Sequence, residues 1–262
     1  MYNILHRIFG NPRSWMKKSL PIIVYLFSTG VAIAQQYSGM EGLIHVPSAE
    51  MDSAGVARIG LHYVDQHMIP DAIILKPENT KFNSLTNYLS ITPFSWIEIG
   101  YGYTLWKFHK DKKPSNDIGF YAKDRYFSLR LQPLREGRYW PSVVVGGQDV
   151  WGSSENGESS SNYYRNFYGA VTKHFDFGAG QLGAHLVYRH WYRDYNHKWN
   201  GVVGGLTFRP AFYSPLRFIG EWDGTEVNLG ADCTIYKYFL LQASLQDFKH
   251  FSGGLCFRIG LF

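Results

Sequence analysis

Apolar and polar residues alternate along most of this chain, and this pattern is the strongest limit on its fold. Successive side chains of a β-strand point to opposite faces, so a run with period two has one apolar face and one polar face. In the run 96–106, Ile97 and Ile99 fall on one face, and Glu98 and Gly100 fall on the other. No stretch after residue 55 has the apolar spacing of an amphipathic helix. The chain is therefore predicted to be all-β.

Twelve runs of this kind follow one another, each near the length that a tilted strand needs to cross a bilayer. The predicted strands are 56–65, 86–94, 96–106, 124–133, 141–150, 166–175, 180–190, 200–210, 216–223, 225–236, 239–247 and 251–262. A soluble sandwich with one buried and one wet face would alternate in the same way, so periodicity alone does not distinguish the two folds.

The connections between the runs favour a membrane barrel. Long connections at 66–85, 107–123, 151–165 and 191–199 alternate with tight turns, which is typical of an outer-membrane barrel with periplasmic turns and outer loops. Aromatic residues make up 17% of the chain and glycines number 27, a composition that suits aromatic belts around a lumen lined by small and polar residues. We therefore predict a transmembrane, antiparallel, up-and-down β-barrel of about 12 strands.

The first 34 residues are predicted to be a secretory signal peptide. Four Arg and Lys residues and no acid precede a short apolar run that ends in Ala32-Ile33-Ala34, a pattern that signal peptidase cleaves. Removing these four from the 26 basic residues of the chain leaves 22 against 21 acidic ones, so the mature chain is nearly neutral and its charge does not indicate nucleic-acid binding. The predicted division is a signal peptide at 1–34, a periplasmic N-terminal segment at 35–55 and an outer-membrane barrel at 56–262.

Several charged residues fall on the polar faces of the predicted strands and would line the lumen. They either line a polar conduit, whose arginines would suit an acidic saccharide, or form ion pairs that cross-link the wall, since buried charges need partners. The predicted lumen-lining residues are Arg58, His62, Glu98, Arg130, Arg189, Arg209, Arg217, Glu221, Glu226, Asp232 and Arg258.

Catalytic signals are weak in this sequence. His190, Asp194 and His197 lie close together in an outer loop, but their spacing matches no metal or hydrolase motif. We predict no enzyme, no cofactor and no metal site, and we expect Cys233 and Cys256 to be free thiols.

Three stretches resemble parts of the YjbH/GfcD-like outer-membrane family: "GLIHVPSA" at 42–49, "PSVVVGGQDVWGSS" at 141–154 and "EWDGTEVNLGADCTIY" at 221–236. The residues that carry the resemblance are Gly42, Pro47, Ser48, Ala49, Gly55, Gly146, Asp149, Gly152, Asp223, Gly224, Asn228 and Gly230. The resemblance implies an outer-membrane barrel associated with the secretion of exopolysaccharide or capsule, although this chain is shorter than the better-known members.

Three functions remain open at this point. The first is a barrel in the outer membrane of a Gram-negative bacterium that assists exopolysaccharide export or assembly, with a narrow polar conduit as one form of it. The second is a non-catalytic structural or interaction barrel of an envelope complex, and the third is an enzyme that modifies lipid or peptide. The expected partners are outer-membrane lipid, polysaccharide and envelope export proteins, with no nucleic acid.

Overall fold

The computed structural model describes residues 35–150 and 162–262, which form one closed antiparallel β-barrel. Each strand pairs with its neighbours in the chain, and β1 closes the barrel on β12, so the topology is up-and-down. The strands are β1 (Val56–Val64), β2 (Ser84–Phe94), β3 (Ile97–His109), β4 (Ile118–Leu134), β5 (Ser142–Gln148), β6 (Asn166–Phe177), β7 (Gly180–Trp191), β8 (Gly201–Pro210), β9 (Leu216–Trp222), β10 (Val227–Ile235), β11 (Phe239–Gln246) and β12 (His250–Gly260). The predicted fold class and the strand number are confirmed.

The two faces of the wall differ as the alternation predicts. On β1, Ile59 and Leu61 are exposed on the outside, whereas Arg58 and His62 are buried on the inside. On β7, Leu186 is 59% exposed, while its neighbours His185 and Val187 are buried. An apolar exterior around a polar interior is the reverse of a soluble barrel and is the arrangement found in membrane barrels.

Most strand boundaries differ from the prediction by one to three residues, and the start of β4 differs by six. Strand β4 begins at Ile118, so the β3–β4 connection is 110–117 and not 107–123. The pairing of β3 with β4 shifts register between Trp106 and Phe108, and such an irregularity breaks the period-two pattern that would have marked the strand. Glu226, predicted on an inward strand face, lies in the turn between β9 and β10.

Among the described residues, no helix is long and apolar enough to span a membrane. The three helices of this part of the chain are short 3-10 segments at Gln66–Met68, Lys110–Lys112 and Asp194–Trp199.

Residues 35–54, which we call the plug, lie inside the barrel and not in the periplasm as predicted. Residues 35–49 are all buried. Their hydrogen-bond partners come from β1, β2, β4, β6, β7, β9 and β11, which is possible only from within the lumen. The plug is drawn inside because the inner wall carries buried charges that need partners, and the segment supplies both acids and backbone groups.

The β1–β2 loop, residues 65–83, closes the barrel at the end opposite to the start of β1 and the end of β12, and we call it the cap loop. Its Met68, Ile69 and Ile73 are buried in the same apolar cluster as Leu43 and Val46 of the plug. The lumen is therefore filled by the plug and covered at the long-loop end by the cap loop.

Candidate functional site

The tip of the plug is held by one carboxylate of the wall. The backbone N–H groups of Ile44, His45 and Val46 donate to the Glu221 carboxylate, with N···O distances of 3.0, 2.8 and 3.1 Å. The side chain of Asn228 donates to the same carboxylate at 2.9 Å. Glu221 is 2% exposed, so it binds the plug through charge-assisted hydrogen bonds that water does not weaken.

His45 lies at the centre of an aromatic pocket under the cap loop. Its ring stacks on Tyr37 with the centroids 5.3 Å apart and meets the Trp199 ring edge-on at 4.8 Å. Its Nδ1 is 3.5 Å from an Asp223 carboxylate oxygen, and its carbonyl accepts a hydrogen bond of 3.0 Å from Arg189. Polar and aromatic groups from strand β7, from the β7–β8 and β9–β10 loops and from the plug itself thus fix this residue.

Two wall glycines make room for the apolar tip of the plug. A Cβ at Gly205 would lie 2.7 Å from Leu43 Cδ1, and a Cβ at Gly230 would lie 3.0 Å from Ile44 Cδ1. A larger residue at either position would crowd the plug side chain and also a carbonyl oxygen of the wall, that of Gly220 at 2.5 Å or that of Ala243 at 2.9 Å, so the neighbours would have to shift. These glycines belong to the part of the inner wall that contacts the plug, which we call its seat.

Arginines of the wall hold the middle of the plug. Arg130 donates to Glu98 at 2.5 Å and to the carbonyls of Ser48 and Glu50 at 2.6 and 2.8 Å. Arg217 pairs with Asp232 at 2.7 Å and also donates to the Glu50 carboxylate at 3.3 Å. Each guanidinium thus bonds both the wall and the plug, using the planar fork of donors that arginine provides.

The seam between β1 and β12 depends on an acid of the plug. Arg58 and Arg258 are register partners across this seam, so two positive charges face each other. Asp52 accepts from Arg58 at 2.5 Å and from Arg258 at 2.7 Å, and Glu41 adds a second bond to Arg58 at 2.6 Å. Like charges directly opposite on paired strands are destabilising, and the plug acids remove that cost.

Most of the predicted lumen-lining residues are found at this interface. Arg58, His62, Glu98, Arg130, Arg189, Arg217, Glu221 and Asp232 are buried. Arg209 and Arg258 are partly exposed at the end of the barrel where β1 begins and β12 ends, which we call the turn end. Glu226 lies in the β9–β10 turn. The charges form neither an open conduit nor wall-to-wall cross-links alone, because much of their pairing is with the plug.

The motif residues from distant parts of the chain meet at the plug. Gly42, Pro47, Ser48 and Ala49 belong to the plug itself, and Gly55, with a φ of +80°, turns the chain into β1.

The motif residues near the end of the chain shape the β9–β10 turn beside His45. Asp223 accepts from the backbone N–H groups of Thr225 and Glu226 and from the side chain of Asn228. Gly224 takes a φ of +107° in that turn, and Asp149 is buried just after β5. Gly146 lies in β5 beside Tyr168 and Arg130. Gly152 lies outside the described residues, as do the predicted signal peptide at 1–34 and residues 151–161 of the predicted loop 151–165.

The acids of the plug were missed by the sequence prediction. Among the eleven predicted lumen residues, arginines outnumber acids by six to four, and this surplus predicted an acidic partner. Glu41, Glu50 and Asp52 provide the negative charges, and they lie in the one segment that was assigned to the periplasm. The sequence signal for this pairing is the excess of arginines on the lumen faces together with the acids of the segment that precedes the first strand.

The cap loop is fastened by lysines from two loops. Asp71 accepts from Lys81 and Lys198, each at 2.8 Å, so that the β7–β8 loop is joined to the cap loop. Partial burial would raise the pKa of Asp71, but the hydrogen bonds and charges of the two lysines outweigh it and hold that pKa below its ordinary value.

A cavity of about 540 Å³ remains at the turn end, below the plug. It is lined by plug residues 49–54 and by polar side chains that include Gln132, Arg135, His174 and Arg209. Many of the polar side chains that line this cavity already have partners. For example, His174 Nδ1 is 2.7 Å from a carboxylate oxygen of Glu136.

His190, Asp194 and His197 do not form a compact site. His197 Nε2 is 3.5 Å from Asp194, but the His190 and His197 rings are 6.3 Å apart at their centroids, and Asp194 is almost fully exposed. Cys233 and Cys256 are both free.

Comparison with known proteins identifies a family. A family model described as "Exopolysaccharide biosynthesis protein YbjH" matches residues 34–186. No curated protein matches the sequence significantly. Among solved structures, outer membrane phospholipase A from Escherichia coli is 11% identical with a TM-score of 0.37, over 81% of this chain and 99% of that chain. The calcium-bound dimer of the Salmonella typhi phospholipase is 9% identical with a TM-score of 0.38, over 81% and 93%. Both TM-scores are below 0.5.

Proposed function

This chain belongs to the YjbH family of exopolysaccharide biosynthesis proteins, and we propose that it is an outer-membrane barrel that assists the export or assembly of a surface exopolysaccharide. In the proposed mechanism the barrel is closed at rest by its own N-terminal segment and opens when that segment leaves its seat. The observation that carries this proposal is the chemistry of the seat, which is built from ion pairs and hydrogen bonds to a peptide.

A polar seat suits a segment that has to be released. Groups such as Glu221, Arg130 and Arg217 lose partners when the plug leaves, but water or a hydroxyl-rich, acidic polymer can replace those partners in a wet lumen. A plug held only by apolar packing would have no such replacement for its contacts. In this plug, Leu43 and Val46 of the apolar cluster are the part that release would expose. We therefore favour an anionic saccharide as the substance that the emptied lumen would accept.

The second candidate is a permanently closed barrel that serves an envelope complex as a structural or interaction partner. The extent of burial favours it, because residues 35–49 are all buried among the described residues of the lumen. The two candidates differ in one requirement, since only the conduit needs the plug to move. A catalytic role is not part of either proposal.

Locking the plug to the wall tests the conduit. Ala49 N and Thr172 Oγ1 are 2.9 Å apart, so Ala49→Cys with Thr172→Cys, in a background with Cys233→Ser and Cys256→Ser, places a disulfide between plug and β6. We expect the oxidised lock to lower surface exopolysaccharide to the level of a strain that lacks the gene, and a reductant to restore it. The measurement is cell-surface polysaccharide in complemented strains.

The two single-cysteine variants are the controls for this lock and should behave like the unlocked chain. Normal export through a lock that is shown to be oxidised would reject the conduit and leave the structural role. Normal surface polysaccharide in the strain that lacks the gene would reject both candidates.

A charge on the outer wall tests the membrane location. Leu186 is in the middle of β7 and points outward, so Leu186→Arg should destabilise the barrel in lipid vesicles by about 2–4 kcal/mol. Phe212→Arg, in the turn between β8 and β9, is the matched control, and its cost should be about 0–1 kcal/mol because the side chain is near water. The measurement is urea unfolding in vesicles. Equal stability of the two variants would argue against lipid around β7.

A further inference from the structure

Two histidines and one aspartate meet at the long-loop end of the seam between the first and last strands. Asp65 directly follows β1, His67 lies in the 3-10 helix that opens the cap loop, and His250 is the first residue of β12. One ligand atom from each residue, a carboxylate oxygen or an imidazole nitrogen, lies within 4.8 Å of the other two. Within the described part of the chain, this is the one group of three His, Cys, Asp or Glu residues whose ligand atoms lie that close together.

The geometry of the three side chains is convergent. His67 Nδ1 is 2.6 Å from Asp65 Oδ1, and His250 Nδ1 is 3.9 Å from the same oxygen. The two imidazole rings stack with their centroids 3.6 Å apart, and both Nδ1 atoms lie within 4 Å of the same carboxylate oxygen. Tetrahedral zinc, with bonds of about 2.0–2.2 Å, holds its ligand atoms about 3.4 Å apart, so the present spacings of 2.6 Å to at most 4.8 Å are within about 1.5 Å of that requirement. Binding would also turn one imidazole out of the stack, because the lone pair of each ring nitrogen lies in the plane of its ring.

The backbone under these residues is held in place. Asp65 N–H donates to Ser252 Oγ at 2.9 Å, which ties the start of the cap loop to β12. Gln66 N–H donates to Asn83 Oδ1 at 2.9 Å, which ties the start of the loop to its end. The Asp65 side chain also accepts from His67 N–H at 3.0 Å. The site is therefore positioned by main-chain contacts that do not depend on a bound ion.

From this arrangement we propose that Asp65, His67 and His250 bind a divalent transition cation of the zinc type, which clamps the cap loop to the barrel seam. Imidazole and carboxylate suit Zn²⁺, Ni²⁺ and Cu²⁺, and the fourth position is open to water because His67 is exposed. Two imidazoles and one carboxylate are a common ligand set for such an ion, and each histidine binds the metal in its neutral form. The proposal does not depend on the cargo of the barrel.

The sequence conceals this site because His250 is far from the other two residues along the chain. Closure of the barrel brings β1 and β12 together and creates the cluster. The more obvious sequence candidate, His190 with His197 at the same end of the barrel, is spread over the β7–β8 loop and serves as a matched pair for comparison.

Zinc binding to the full chain, without a histidine tag and in detergent micelles, tests the proposal by calorimetry. We expect one equivalent of Zn²⁺ to bind, and the double variant His67→Ala with His250→Ala to bind more than tenfold more weakly. The control variant His190→Ala with His197→Ala should bind as the unmodified chain does. Co²⁺ in place of Zn²⁺ should give the visible absorption of a four-coordinate ion, and the His67/His250 variant should lose it.

No saturable binding by the unmodified chain would overturn the proposal, and so would an equal affinity in the His67/His250 variant. If that variant does not fold, labelling of the unmodified chain with diethyl pyrocarbonate decides the question. Zn²⁺ should then protect His67 and His250 but not His190 and His197, and protection of neither would reject the site.

Discussion

Replacing residues 39–50 with a glycine–serine segment of equal length should convert a silent barrel into one that conducts ions. The replaced residues include Leu43, Val46 and Ser48, which have no exposed surface because they fill the lumen. A barrel of twelve strands is wider than the eight-stranded kind that side chains fill, so an emptied lumen should hold water and ions. The measurement is single-channel conductance in planar bilayers, where discrete openings should appear and the unmodified chain should give none.

The control for this experiment is the same kind of replacement in the β3–β4 loop at 110–117, which lies outside the lumen. That variant should stay silent. Because Arg58, Arg130 and Arg217 lose plug partners in the test variant, its fold has to be checked by the strand signal in circular dichroism. A folded test variant that remains silent would mean that the plug is not the seal, and the cap loop would then be the next element to remove.

Glu221→Ala should release the tip of the plug without unfolding the barrel. The substitution leaves the N–H groups of Ile44, His45 and Val46 buried without an acceptor, and each such loss costs about 1–3 kcal/mol. We expect the free energy of plug opening to fall by at least about 3 kcal/mol. Hydrogen exchange of these three amides should then be faster by about a hundredfold, since 1.4 kcal/mol corresponds to a factor of ten.

Glu226→Ala is the matched control, because Glu226 is in the adjacent turn and holds no plug atom through its side chain. It should change exchange at the tip by less than about 1 kcal/mol. Amides of the β6–β7 pair report on the barrel itself and should keep their protection in both variants. Equal exchange at residues 44–46 in the two variants would show that Glu221 does not hold the plug. Loss of protection throughout the Glu221→Ala barrel would show that the carboxylate supports the whole fold instead.

The lumen arginines show how far sequence reasoning went at the candidate site. Their inward position followed from alternation alone, because Arg58, Arg130 and Arg217 sit opposite apolar neighbours on their strands. Their partners did not follow, because Asp52 and Glu50 lie in a segment without any periodic pattern. Alternation predicts the face on which a residue lies, but it carries no information on what fills the space in front of that face.

The boundary errors have a similar cause. The start of β4 at Ile118 was missed because a register shift near Trp106 and Phe108 breaks the alternation there. Glu226 was placed on a strand because the turn before Val227 continues the same alternation by chance. In both cases hydrogen bonding between strands, and not the order of side chains, sets where the strand begins.

The sequence by itself determined the closed twelve-stranded wall, its apolar outside and its charged inside, because period two is a local property that each strand carries in its own residues. Only the tertiary structure showed which groups fill the inside and pair with its charges. Glu221 reaches the backbone of His45 across 176 positions of the chain, and His250 reaches Asp65 only because β12 closes on β1. Contacts at such separations depend on barrel closure and on the space that remains inside it, and no local pattern encodes either of them.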